Sequence, residues 1–100
     1  LAAVSAHPSL ELTGVHLFAG TQILDADVLL AQWAYGLKLA AAVAHAAGKT
    51  ALRIDLGGGL GIPYHDGDKP LDLGAVSAGA LRLNRERMGD PVLAASQILI

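Results

Sequence analysis

The chain of 100 residues carries 53% hydrophobic side chains and 12 glycines, against 16% charged residues and a net charge of −2. Soluble domains average about 45–50% apolar residues and about 25% charged ones, so this balance suits a chain buried largely against other structure. It does not suit a membrane span, which needs about 20 consecutive apolar residues, because the longest charge-free stretch, Leu12–Leu24, is broken by Gly14, His16, Gly20, Thr21 and Gln22.

Glu11–Ala19 alternates well enough for a buried strand, with Gly20 and Thr21 as the loop behind it. Asp25 is placed to cap a long helix over Asp27–Ala47, in which Val28, Leu29, Trp33, Leu37, Ala40, Ala41 and Ala44 recur at three-to-four spacing. Gly48 sits where a left-handed residue ends a helix. Thr50–Leu56 reads as a second strand, closed by Gly57-Gly58-Gly59, and residues 60–70 read as a loop punctuated by Pro63, Gly67 and Pro70. The spacing predicts a second helix over Leu71–Met88, with Arg82, Arg85 and Arg87 toward its C-terminus as a solvent face. Gly89-Asp90-Pro91 breaks that helix, and Val92–Ile100 reads as a third strand.

Strand, helix, strand, helix, strand with short connections predicts parallel β/α packing, either an open sheet or a closed barrel. Strands covered on both faces account for the apolar excess. The chain starts at Leu1, without the basic segment that opens a signal peptide, and stops inside the apolar run Gln97-Ile98-Leu99-Ile100. Residues 1–100 are therefore expected to be one piece of a larger domain, truncated at both ends. The charge balance offers no basic stripe for nucleic acid. The absence of cysteine excludes disulfides and thiolate metal sites and suits a cytoplasmic protein.

Two stretches carry the chemistry. Gly57-Gly58-Gly59-Leu60-Gly61 follows a strand directly, where glycines let the backbone approach an anion and successive N–H groups cradle a phosphate. A dinucleotide fingerprint does not fit, because the third glycine of that pattern falls on Ile62 or Tyr64, and Pro63 stands where the helix should begin. Gly48-Lys49-Thr50 is no P-loop either, since Val43 occupies the leading glycine's place. The second stretch is Gly14-Val15-His16-Leu17-Phe18-Ala19-Gly20-Thr21-Gln22, in which His16 and Phe18 share one strand face and lead to the Thr21 hydroxyl. An aromatic ring and a hydroxyl at one strand end, beside a glycine run at the next, flank one pocket in parallel β/α folds. A planar phosphorylated cofactor satisfies both halves.

Together the two stretches, with Ile54-Asp55-Leu56 ahead of the glycines and Ile62-Pro63-Tyr64 behind them, resemble the pyridoxal-phosphate-dependent decarboxylases of the alanine-racemase fold, the diaminopimelate, ornithine and arginine decarboxylase group. The resemblance covers essentially the whole chain. It implies about three strands and two helices of a (β/α)₈ barrel and the cofactor pyridoxal 5′-phosphate. It also implies decarboxylation of a small amino acid at its α-carbon, in a homodimer. Gly57, Gly58 and Gly59 match the family's phosphate-binding loop, and Thr21 takes the place of a Ser that contacts the same phosphate. Phe18 falls where most members have a His stacked on the pyridine ring, which keeps a π-face but no ring nitrogen. That departure leaves open a decarboxylase for another amino acid or a carrier-bound one, and a non-catalytic binding or regulatory homologue is the alternative of a different class. The family's cofactor-linked lysine and its Glu-Pro-Gly-Arg run match nothing within these residues, so the hundred residues alone are expected to be inactive and to hold no catalytic residue.

Other polar residues receive structural readings. His16 is expected as an inward-pointing core histidine, and Asp55 as a backbone-supporting carboxylate. His7, His45 and His65 are read as loop or helix-surface residues. Asp66, Asp68 and Asp72 are read as a solvated loop, with no metal site.

Overall fold

A computed structural model describes residues 1–100. The elements follow the order α1 (Ala2–Ala6), β1 (Gly14–His16), α2 (Ala26–Ala46), β2 (Arg53–Asp55), α3 (Leu73–Arg87), α4 (Pro91–Ala95) and β3 (Gln97–Leu99). β2 stands between β1 and β3 and runs parallel to both, with Val15 opposite Ile54 and Ile54 opposite Ile98. Because side chains alternate along a strand, Val15, Ile54 and Ile98 share one face of the sheet. His16, Asp55 and Leu99 share the other, with Gly14, Arg53 and Gln97.

Helices cover only the first face. Ile54 is fully buried there, among Leu29, Trp33, Leu37, Ala40 and Ala44 of α2, Val76 and Leu83 of α3, and Leu93 of α4. Nothing in the chain covers the opposite face, where His16 and Arg53 are exposed. The result is a three-stranded parallel sheet with its crossover helices on one side, as parallel pairing requires.

α2 forms where its cap and its periodicity place it. The Asp25 carboxylate accepts from the N–H of Asp27 (2.9 Å) and of Val28 (3.4 Å), two donors that a helix N-terminus leaves without partners. Gly48, at φ +66°, turns the chain out of the helix. Gly36 brings α2 close to the sheet, since a Cβ there would stand 2.9 Å from side-chain atoms of both Leu17 and Leu56. α3 begins behind Asp72, whose carboxylate accepts from the Ala75 N–H at 3.0 Å. Both helices lie within two residues of their expected ends. No helix is long and apolar enough to cross a membrane.

Three expectations need correction. Val92–Ile100 is not one strand: α4 occupies Pro91–Ala95 and only Gln97–Leu99 pairs. The Asp90 carboxylate caps α4 through the N–H of Val92 (2.9 Å) and Leu93 (3.2 Å), and Pro91 takes the first turn, where its missing N–H costs nothing. Arg87 is not part of a solvent face. Its guanidinium donates to the carbonyls of Leu93 (2.6 Å) and Ser96 (3.3 Å) and to Asn84 Oδ1 (2.8 Å), tying the end of α3 to the chain entering β3. His16 is not buried by this chain, because the sheet face that carries it has no covering helix. The short helix α1 was not among the expected elements.

Candidate anion-binding site at the strand ends

The site forms where the β1–β2 ladder parts and rejoins. Its last regular rung is the bond from Leu17 N to Asp55 O, 2.9 Å. Pairing resumes at an isolated parallel bridge between Ile23 and Leu60, where Ile23 N donates to Gly59 O (2.8 Å) and Gly61 N to Ile23 O (2.9 Å). Between the pairs His16/Asp55 and Ile23/Leu60, residues 17–22 on one side face the shorter run 56–59 on the other. The extra length bows outward and leaves a depression of about 150 Å³.

Phe18, Ala19, Gly20 and Thr21 line this depression from the first loop, Leu56, Gly57, Gly58, Gly59 and Leu60 from the second, and Gln32 from α2. Phe18, Thr21, Gly57, Gly58 and Gly59, which the sequence singles out from two stretches some forty residues apart, thus come together in one place. Glycine is required at two of these positions. Gly57 has φ +73°, and a Cβ on it would fall 2.5 Å from Leu17 O; Gly59 has φ +84°, and a Cβ would fall 2.7 Å from Gly20 O. The two loops therefore approach backbone to backbone, a spacing no side chain permits. A Cβ on Gly58 would meet nothing within 4 Å, so that residue faces open space.

The donors are distributed unevenly. Gly57 N is taken by Asp55 Oδ1 at 2.9 Å, the backbone support expected of that aspartate. The N–H groups of Gly20, Thr21, Gly58 and Gly59 donate to no group of the chain. Seven lining residues, Phe18, Ala19, Gly20, Thr21, Gly58, Gly59 and Leu60, keep uncommitted amides, and with the Thr21 hydroxyl they surround one depression that has no carboxylate in its wall, a donor set suited to an anion. Phe18 stands at the rim, 79% exposed, and also walls an adjoining apolar groove with Val28, Ala31 and Tyr35. Behind the loops, on the open sheet face, His16 Nε2 lies 4.0 Å from Asp55 Oδ2.

One residue of the site has no role in the sequence reading. Gln22 adopts φ +57°, the left-handed region, and is the sole non-glycine residue to do so. Its side-chain Oε1 accepts from Ile62 N at 3.3 Å, and its Nε2 donates to Ile62 O. Periodicity carries no signal for such a clamp. The acidic loop residues also have local partners: Asp68 Oδ2 accepts from the N–H of Tyr64 (3.3 Å) and His65 (3.0 Å), and Asp72 caps α3.

A parallel β/α unit with a glycine-lined depression at its strand ends defines the class. The model of the pyridoxal-dependent decarboxylases, specifically their pyridoxal-binding domain, matches residues 1–98. The chain belongs to this family, whose cofactor is pyridoxal 5′-phosphate. Among curated proteins, the L-glutamyl-[BtrI acyl-carrier protein] decarboxylase of Niallia circulans is 34% identical over 79 residues, covering 76% of this chain and 18% of the relative. The diaminopimelate decarboxylase of Thermoplasma acidophilum is 31% identical over 88 residues, 87% of this chain and 22% of the relative. That of Corynebacterium efficiens is 37% identical over 76 residues, 76% of this chain and 16% of the relative. The chain spans about a fifth of the length of the curated relatives it matches.

Proposed function

We propose that this chain is part of a pyridoxal-phosphate-dependent amino-acid decarboxylase and that the depression between the two loops holds the cofactor's phosphate. The observation that carries the reading is the set of uncommitted donors, among them the amides of Gly20, Thr21, Gly58 and Gly59 and the Thr21 hydroxyl, around a space kept open by glycines. The donor set fits a phosphate group: the amides present fixed partial positive charge without side-chain reorganisation. Phe18 at the rim offers a ring face to the pyridine. Asp55 holds Gly57 in place and leaves Gly58 and Gly59 for the anion.

In this reading the three parallel strands and their helices are one arc of a (β/α)₈ barrel, residues 1–100 are a piece of that barrel domain, and the open sheet face with His16, Arg53 and Asp55 turns toward the barrel interior. The site then lies at the C-terminal ends of the strands, where such barrels carry their chemistry. When bound, the cofactor supplies an electron sink for loss of an α-carboxylate as CO₂. The residues described here bind its phosphate and orient its ring. A homodimer, on the strength of the family resemblance, and a cytoplasmic location, which the absence of cysteine suits, complete the proposal.

The full-length protein tests it. Incubated with pyridoxal 5′-phosphate, it is expected to retain one equivalent per chain through gel filtration and to release CO₂ from one member of an amino-acid panel. The relative named for a carrier-bound glutamyl substrate, together with Phe18 in place of the usual His, favours adding carrier-bound amino acids to that panel. Cofactor retention with no CO₂ from any substrate favours the non-catalytic homologue instead, and failure to retain the cofactor refutes the site.

A further inference from the structure

We infer that Gln22 is a positioning residue for the cofactor's phosphate, acting through Thr21; the inference rests on the phosphate site proposed above. Gln22 itself does not line the depression, whereas its neighbour Thr21 does. Three observations converge on it. Its backbone is left-handed, at φ +57°, a conformation that a straight-chain residue adopts rarely and that persists only where the surroundings enforce it. Its carboxamide engages both backbone groups of Ile62, accepting from the N–H and donating to the carbonyl, forty residues further along the chain. The residue after it, Ile23, makes the two backbone bonds that rejoin the ladder, to Gly59 O and from Gly61 N.

The geometry follows from these contacts. The chain must leave the depression at Thr21 and re-enter the sheet at Ile23, and a single residue has to make that change of direction. The left-handed conformation at Gln22 makes it. Glycine adopts this conformation more readily, but glycine has no carboxamide to grip Ile62. With Gln22 the outgoing loop is bound to the far end of the glycine loop, so the Thr21 hydroxyl and amide are held at a fixed distance from Gly58 and Gly59. Gln22 contributes no atom to the phosphate site and sets the separation of its two walls.

A double-mutant cycle on the full-length protein isolates this role, with binding measured for pyridoxal 5′-phosphate and for pyridoxal, which lacks the phosphate. Gln22→Gly retains the backbone conformation and deletes the clamp. It is expected to weaken the phosphorylated form about tenfold, the size of the Thr21–phosphate contact it misplaces, and to leave pyridoxal affinity unchanged, which also reports that the protein is folded. Gln22→Asn, which tolerates the same backbone but is one methylene shorter, is expected to behave like Gln22→Gly. Because Gln22 acts through Thr21, whose hydroxyl Thr21→Ala has already removed, adding Gln22→Gly to Thr21→Ala should cost clearly less than Gln22→Gly does alone, the remainder being the Thr21 amide. Additive effects in the double variant, or equal weakening of both ligands, would overturn the inference. If Thr21→Ala alone discriminates against the phosphorylated form but Gln22→Gly does not, the inference fails and the phosphate site stands. If Thr21→Ala alone has no effect, Thr21 leaves the site and the inference fails; if the wild type does not prefer the phosphorylated form, the site itself fails.

Discussion

Asp55 and Gly57 are joined by a hydrogen bond of 2.9 Å from the Gly57 amide to the Asp55 carboxylate, two residues apart at the exit of β2. It holds the first glycine of the loop in a left-handed conformation and removes one amide from the set that faces the depression. The charge is not needed for this contact, since an amide oxygen also accepts, though more weakly. Asp55→Asn in the full-length protein is therefore expected to keep cofactor affinity within about threefold of wild type, whereas Asp55→Ala, with no acceptor, should lose about tenfold. Equilibrium dialysis with pyridoxal 5′-phosphate measures both, and equal losses would mean the charge matters rather than the acceptor.

The three loop glycines should respond differently to a single methyl group. Gly57→Ala and Gly59→Ala meet loop backbone at 2.5 and 2.7 Å and stand at positive φ, so each is expected to destabilise the protein by about 1–3 kcal/mol. Gly58→Ala meets nothing within 4 Å and should melt within about 0.5 kcal/mol of wild type. Thermal unfolding of the full-length variants separates the two cases.

Ser96 is buried, with Oγ accepting from Leu52 N at 2.9 Å and donating to Val92 O at 2.7 Å. Ser96→Ala leaves the Leu52 amide without an acceptor at the start of β2, at an expected loss of about 1–3 kcal/mol. Denaturant titration provides the measurement, and a change below about 0.5 kcal/mol would show that water or a shifted carbonyl takes over the amide.

These effects also mark what the sequence discloses and what it conceals. α2 is legible because Asp25, the spacing from Leu29 to Ala44 and Gly48 are independent local signals that agree. The glycine run and Thr21 are legible because their chemistry depends on residue type. The third strand is misread over Val92–Ala95 because Asp90-Pro91 serves two purposes: the pair that ends α3 is also the cap and first turn of α4. Reading Asp90 as a cap and Pro91 as a first-turn residue would have disclosed the helix. Arg87 and Gln22 are concealed for another reason. Apart from Asn84, their partners are backbone carbonyls and amides, six to forty residues away, and a backbone group leaves no mark in the sequence. His16 alternates correctly along β1, but alternation does not tell which sheet face the helices cover.

The helix cap at Asp25 carries an independent expectation. Asp25→Ala deprives the N–H groups of Asp27 and Val28 of their acceptor and should cost about 1 kcal/mol of stability. Because α2 only backs the site through Gln32, cofactor affinity should change less than about threefold.

The central claim is that the depression between Thr21 and Gly57–Gly59 holds a phosphate. The most direct measurement is the ratio of affinities of the full-length protein for pyridoxal 5′-phosphate and for pyridoxal, in wild type and in Thr21→Ala. The account predicts a strong preference for the phosphorylated form in wild type and about a tenfold reduction of that preference in the variant, with pyridoxal affinity unchanged. An identical ratio in the two proteins would remove Thr21 from the site, and a wild type that binds both forms equally would contradict the claim itself.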